Sequence, residues 1–251
     1  MQIGIIKERR SDEKRVAATP DTVKKFIAMG LKVNIEKGAG ITAAITDQEY
    51  EEAGANILDD ATRVLENADI VVKVNKPIGP KDKDVSKLDE VKLLKSGSIL
   101  VSLMEPYKDR DLIGLIAKQN ITCFALELIP RITRAQTMDV LSSQSNLAGY
   151  KAVIEASTTY GKAFPMMMTA AGTVPPAKCL VMGAGVAGLQ AIATARRLGA
   201  VVSASDVRPA AKENVESLGA KFIAVEDEEF KQAETSGGYA KEMSDEYKKK
   251  Q

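Results

Sequence analysis

Gly183, Gly185 and Gly188 stand in the spacing G-x-G-x-x-G, directly after the apolar run 179–182 and directly before the helical run "LQAIATARRLGA". A second apolar run, "VVSASD", follows and ends on Asp206. Each residue type has a reason to be there. Gly183 permits a tight turn, Gly185 lets backbone approach a pyrophosphate, and Gly188 lets the helix pack close on the strand, with the helix N-terminus facing the phosphates. An acid about 20 residues beyond the turn accepts hydrogen bonds from the ribose hydroxyls of an adenosine. The glycines alone are a weak signal; the strand before them, the helix after them and the acid beyond make it specific. Asp206 also repels a 2′-phosphate. Arg208, two residues on, pulls the other way, but the acid holds the deciding position, so NAD(H) is expected here.

A second polar constellation lies upstream. The stretch "RITRAQTMDVLSSQSNLAG" (131–149) places Arg131, Arg134, Gln136, Asp139, Ser142 and Ser143 in a short span. It is too polar for a core segment. Gln136, Asp139 and Ser142 are spaced i, i+3, i+6, so a helical start would put them on nearly one side. They could instead, or also, form a capped helix entry with Thr137 or Asp139 as the cap.

The chain has 251 residues and no histidine. A reaction run here must move protons with carboxylate, lysine or tyrosine, or need no protein acid or base. Metal sites built on histidine or paired cysteine are not expected. Net charge is +1, from 35 Lys+Arg and 34 Asp+Glu, which gives no electrostatic case for nucleic acid or acidic lipid. Cys123 and Cys179 lie in apolar stretches and read as buried, reduced thiols of an intracellular protein. No apolar run approaches the ~20 residues that span a bilayer. The N-terminus "MQIGIIKERR" carries its charges after a strand-like run, which is not the order of a signal peptide.

The elements that must position these residues alternate between strand and helix, the pattern of a parallel α/β fold. Strands are expected over 2–8, after 31, over 68–77 and 98–104, and in "ITCFALEL". Helices are expected over 19–30, with Thr19 as cap and Pro20 at the first helical position, in "TDQEYEEAGA" and in "DLIGLIAKQN". Residues 1–128 thus form one α/β domain, and 129–251 the nucleotide-binding one. A long helix is expected over 135–160, ending at Gly161. Next come Pro165, three consecutive methionines (Met166, Met167 and Met168) and Pro175-Pro176. The methionines fit either core filling or an exposed arm on a second copy of the chain.

The stretch "MTAAGTVPPAKCLVMGAGVAGLQAIATARRLGAVVSASDVRP" closely resembles the NAD(H)-binding component of the proton-translocating NAD(P) transhydrogenase family. "RITRAQTMDVLSSQSNLAGYKAVIEA" resembles that family's nicotinamide-side loop, and "GIIKERRSDEKRVAATPDTV" is shared with alanine dehydrogenase, a structural relative. The resemblance covers almost the whole chain. It implies two doubly wound, Rossmann-like domains and a peripheral component on the cytoplasmic side of a bacterial inner membrane. That component passes hydride from NADH to NADP⁺ held by a partner component. A third component spans the membrane and moves protons. It also implies a homodimer. Arg131, Gln136, Asp139 and Ser142 would surround the nicotinamide; Gly183, Gly185, Val186, Gly188, Asp206, Val207 and Arg208 would hold the rest of the dinucleotide. Tyr239 and Met243, beside Gly237-Gly238, would belong to a mobile loop that closes over it; without the resemblance that segment reads as a solvated linker. Family members continue past the equivalent of Gln251. The second domain is therefore expected as the N-terminal half of a sheet, with three strands (178–182, 201–205, about 221–225), an open edge and one uncovered apolar face.

Two alternatives stand beside this reading. Alanine dehydrogenases, by the same resemblance, have a lysine on the strand matching "VVKVNKP" and a histidine on the strand matching "ILVSLMEP". Lys73 or Lys76 could stand for the lysine, but Met104 and its neighbours offer no histidine, and Arg15 in "KRVAATP" reads as inherited scaffold. A non-catalytic dinucleotide-binding module would fit the glycines but leave the 131–142 stretch unexplained.

Overall fold

The computed structural model describes residues 1–82, 85–233 and 241–250. The chain divides into two units, Met1–Asp139 and Val140–Gln251.

In the first unit, strands β1 (Gln2–Ile5), β2 (Lys32–Glu36), β3 (Asn56–Leu58), β4 (Ile70–Val72), β5 (Ile99–Ser102) and β6 (Thr122–Ala125) form one parallel sheet. Their order is β3-β2-β1-β4-β5-β6, a doubly wound sheet whose direction of winding reverses between β1 and β4. The helices between them are α1 (Pro20–Ala28), α2 (Asp47–Glu52), α3 (Ala61–Glu66), α4 (Glu90–Leu93) and α5 (Arg110–Lys118). Local chemistry sets their starts. The Thr19 hydroxyl caps α1, with Pro20 following. Thr46 and Glu49 form a reciprocal capping box on α2. Ile3, Ile5, Val33 and Ile35 pack with Val23 and Tyr50 in one core cluster, and Val71 and Leu100 with Leu112 and Ile116 in another. The Tyr50 hydroxyl donates to the Ala18 carbonyl at 2.7 Å, which satisfies its polar end inside the core.

The strand expected over 68–77 is shorter. At Val74 the backbone N–H donates to the Glu8 carboxylate (2.7 Å) rather than to a neighbouring strand. Carboxylates take up backbone N–H groups where the sheet ends, Glu8 at Val74 and Glu36 at Lys7, while the Val74 carbonyl still accepts from Leu103.

The second unit opens with α6 (Val140–Thr159). This corrects the start expected at 135. Residues Thr133–Met138 form a 3-10 turn, and Asp139, with ψ 89°, breaks helical geometry before α6 begins. Gln136, Asp139 and Ser142 therefore do not share one continuous helical face. Beyond α6, β7 (Met167–Thr169) and β8 (Gly172–Val174) pair antiparallel as a hairpin. Met166, Met167 and Met168 are each at least half exposed on it, which excludes the core-filling alternative.

Strands β9 (Lys178–Met182), β10 (Val201–Ser205) and β11 (Lys221–Phe222) form a parallel sheet in the order β11-β10-β9, joined by α7 (Val186–Arg197) and α8 (Ala211–Ser217). One face is covered: Val181, Val202 and Ala204 pack with Ile192, Ala195 and Val215. The other is open, with Leu180 58 % and Met182 84 % exposed. Both cysteines are half-buried rather than buried; each packs against a core cluster from a strand at the end of its sheet. Burial still pushes both thiols up. Short helices α9 (Glu228–Lys231) and α10 (Asp245–Lys250) complete the unit.

Helix α6 lies against α7 at Gly149, where an added Cβ would collide with the Ala187 carbonyl oxygen. An added Cβ at Gly114, exposed in α5, would meet nothing. Gly149→Ala is expected to cost ~1–3 kcal/mol, the usual range for overpacking. Gly114→Ala is expected to add up to ~1 kcal/mol by removing a helical glycine. Urea unfolding monitored by circular dichroism checks both signs.

Candidate dinucleotide site

Parallel pairing of β9 with β10, in register up to Met182 and Ser205, places the glycine turn beside Asp206. The Gly183 N–H donates to the Ser205 carbonyl at 2.7 Å, so the turn after β9 is tied to the end of β10. Gly183 has φ +91°, a conformation that costs a side-chain residue. Gly185 starts α7 in an extended conformation, with no side-chain cap. An added Cβ there meets nothing, so the space above the turn is open. An added Cβ at Gly188 would strike the Gly183 carbonyl oxygen. The three glycines thus have three different physical reasons, and each is the one a pyrophosphate-binding turn requires.

Asp206 is 7 % exposed. Its Oδ2 accepts from the Ala184 N–H (2.7 Å) and from Arg208 Nη2 (2.9 Å). Its Oδ1 accepts from the Arg208 backbone N–H (2.8 Å) and from Arg208 Nε (2.9 Å). Burial pushes the carboxyl up, but the Arg208 side chain and the two backbone donors outweigh it and hold Asp206 below the usual carboxylate range. Asp206, Val207 and Arg208 line a cavity of ≈ 860 Å³ together with Gly183, Gly185 and Ser205. That volume falls within the ~300–1,000 Å³ of small-molecule sites. Leu180, Met182, Ile223 and Val225 give it an apolar wall. The residues present fit a dinucleotide: a donor-rich helix start for phosphate, a fixed carboxylate for a diol, and an apolar wall for a base.

Some expected residues fall elsewhere. Val186 is the exposed first residue of α7 and does not line the cavity. Met243, expected as a lid contact, is buried with Phe230, Ala233 and Tyr247 in a small cluster, because α9 and α10 fold against each other. Ser244 N–H and hydroxyl both donate to the Glu229 carboxylate, holding those helices together. Tyr239 and Gly237-Gly238 lie outside the described residues. Arg131 and Gln136 are exposed and Asp139 is half-buried at the end of the first unit; Ser142 is half-buried in the first turn of α6. Three contributors were not foreseen. Ala184 acts only through its backbone N–H, which has no side-chain signature. Lys248 and Lys250 line the cavity from a run that reads as a charged tail.

Parallel α/β architecture with a glycine turn and a strand-end acid defines a dinucleotide-binding protein. Similarity to known proteins then fixes the family. The N-terminal domain model of alanine dehydrogenase/PNT matches residues 4–148, and the C-terminal domain model matches residues 152–246. The chain belongs to the alanine dehydrogenase/PNT family. It is 56 % identical over all 251 residues to an NAD(P) transhydrogenase subunit alpha chain of Rhodospirillum rubrum, of which it spans 64 %. A crystal structure of transhydrogenase from Sinorhizobium meliloti matches with TM-score 0.83 and 54 % identity, over 89 % of this chain and 64 % of that one. An L-alanine dehydrogenase structure matches with TM-score 0.74 and 26 % identity, over 88 % and 60 %. The chain therefore spans about two-thirds of the length of these transhydrogenase relatives.

The residues that could serve an amino-acid dehydrogenase are all engaged in the first unit. Lys73, 3 % exposed, lies between Glu8 (3.4 Å) and Glu90 (3.3 Å). Arg9 joins Glu90 (3.2 Å) to Glu36 (2.6 Å). Lys76 pairs with Asp109 at 2.7 Å. Arg15 reaches both oxygens of Glu13, through Nε at 2.8 Å and Nη2 at 2.7 Å, and Asn75 donates to Glu13 at 2.8 Å. Met104 is fully buried.

The Arg15 hydrogen bond lowers Glu13 from 4.5 to about 2. A carboxyl with a lower folded than unfolded pKa binds fewer protons when folded, so it stabilises the fold above the unfolded value. That contribution fades as pH falls from about 4.5 towards 2. Glu13→Gln should therefore flatten the acid limb of the stability curve in that window and change its slope little above pH 6. Denaturant unfolding at stepped pH measures this.

Proposed function

We propose that this protein is the NAD(H)-binding component of a proton-translocating NAD(P) transhydrogenase. It would act as a homodimer at the cytoplasmic side of a bacterial inner membrane, beside a membrane-spanning component and an NADP(H)-holding one. The observation that carries the reading is the buried Asp206 carboxylate fixed beside a turn whose glycines meet the steric demands of a pyrophosphate site. The names of the R. rubrum and S. meliloti relatives support the reaction class.

On this reading, bound NADH supplies the hydride. The chain's own residues position it. Gly185 and Val186 present backbone N–H groups to the phosphates, Gly183 makes the turn that places them, and Gly188 keeps α7 close enough to do so. Asp206 accepts from the ribose hydroxyls, and Val207 and Arg208 border the same end. The functional division falls at 128/129, so that Arg131, Gln136, Asp139 and Ser142 serve the nicotinamide. Gln136 and Ser142 hydrogen-bond its carboxamide and ribose; Arg131 and Asp139 fix the ring or reach the partner component. The Met166–Met168 hairpin packs on the second copy of the chain. Transfer between two nicotinamides exchanges no proton at the reacting carbons, so a chain without histidine can perform its half by orientation alone. An alanine dehydrogenase reaction would need a proton-transfer group, and Lys73 is closed between two carboxylates.

Titration of the protein with NADH and NADPH tests the site. NADH is expected to bind more tightly, because Asp206 accepts hydroxyls and repels a 2′-phosphate. Asp206→Ala should narrow the difference. Equal affinities in the wild type would contradict the assignment.

A further inference from the structure

We infer that Arg208 is an internal competitor for the ribose-binding face of Asp206, and that it limits how strongly the site discriminates against a 2′-phosphate. The inference rests on the dinucleotide reading above and deepens it.

A carboxylate has about four acceptor positions on its two oxygens. At Asp206 all four are taken, by the Ala184 N–H, the Arg208 N–H, and Arg208 Nε and Nη2. The two backbone donors are fixed by the turn and by the chain itself. They orient the carboxylate and cannot leave without unfolding the loop. The guanidinium is different. It sits on a flexible side chain, 26 % exposed, and occupies one position on each oxygen. Those are the two positions that the adjacent hydroxyls of a ribose need. A diol can bind Asp206 with full complementarity only by displacing the guanidinium, and Arg208 already lines the cavity into which it would swing.

Charge gives the second consequence. With Arg208 in place, the Asp206–Arg208 pair is neutral, and the buried acid presents little net charge to a 2′-phosphate. Lys248 and Lys250 line the same cavity, but each is ion-paired, Lys248 with Glu242 (3.6 Å) and Lys250 with Asp227 (3.6 Å), so the Asp206–Arg208 pair sets the balance there. A guanidinium released by the ligand would also be a good partner for a phosphate, through a bidentate fork. Arg208 therefore opposes NAD(H) as a rival for the acid, and favours NADP(H) as a counter-charge. The bare identity of Asp206 overstates the selectivity of the site.

The test is calorimetric titration of wild type and Arg208→Gln with NADH and with NADPH at pH 8, with melting curves to confirm the fold. The variant should bind NADH more tightly and NADPH more weakly, raising the NADPH/NADH ratio of dissociation constants by about tenfold. A ratio that is unchanged or lower overturns the inference. If the wild type binds neither nucleotide, the dinucleotide reading falls and this inference with it. Wild-type binding with an unmoved ratio removes the role of Arg208 alone. Should the variant not fold, the Arg208 Nε–H resonance of the wild-type protein carries the test. It should shift when saturating NADH displaces the guanidinium, and a resonance that does not move overturns the inference.

Discussion

The Asp206 carboxylate takes its hydrogen bonds at the junction of the glycine turn after β9 and the end of β10. Two loops from neighbouring parallel strands are thereby locked in register at one side of a cavity. The geometry of everything around it follows. Gly183 must adopt a positive φ for the chain to turn back beside Ser205, and Gly188 must lack a side chain for α7 to reach that turn. Helix α6 must in turn offer a glycine for α7 to lie where it does. The helix start, the acid and the cavity are one arrangement rather than three separate features. A buried ion of this kind is costly unless fully hydrogen-bonded, and two of its four donors are built into the backbone while Arg208 supplies the other two.

The first unit uses buried charge for a different end. Lys73, Glu8, Glu90, Arg9 and Glu36 form a closed set at the ends of β1, β2 and β4. Glu8 and Glu90 also accept backbone N–H groups of Val74 and Ile78. This region lies where the sheet's winding reverses, the usual place for a ligand in such folds. Here the cations and anions satisfy one another and the strand ends. The arrangement accords with a family whose members include amino-acid dehydrogenases and transhydrogenases.

Much of this was legible in the amino-acid sequence, for identifiable reasons. The glycine turn and Asp206 are readable because backbone conformation and close approach restrict residue choice to almost one option. The starts of α1 and α2 are readable because Thr19 and Thr46 satisfy the helix's own N–H groups. The open face of the second sheet follows from counting strands. What was not legible depends on contacts between distant residues. Gly149 looks like a poor helix former until α7 is placed against it. The start of α6 shifts to Val140 because Asp139 leaves helical geometry, which periodicity does not register. Met243 reads as part of a solvated linker until α9 and α10 are seen to enclose it. The pairing of Arg208 with Asp206 requires knowing that the chain bends back on itself within two residues.

The central claim is that one nicotinamide is held here and its hydride partner elsewhere. Stopped-flow measurement of a single turnover decides this most directly, with NADH-loaded protein mixed with NADP⁺, with and without an NADP(H)-holding transhydrogenase component. The account predicts NADPH formation only when that component is present, and no NADH formation from NAD⁺ and L-alanine under any condition. NADPH formed by the protein alone, or NADH formed from alanine, would contradict it.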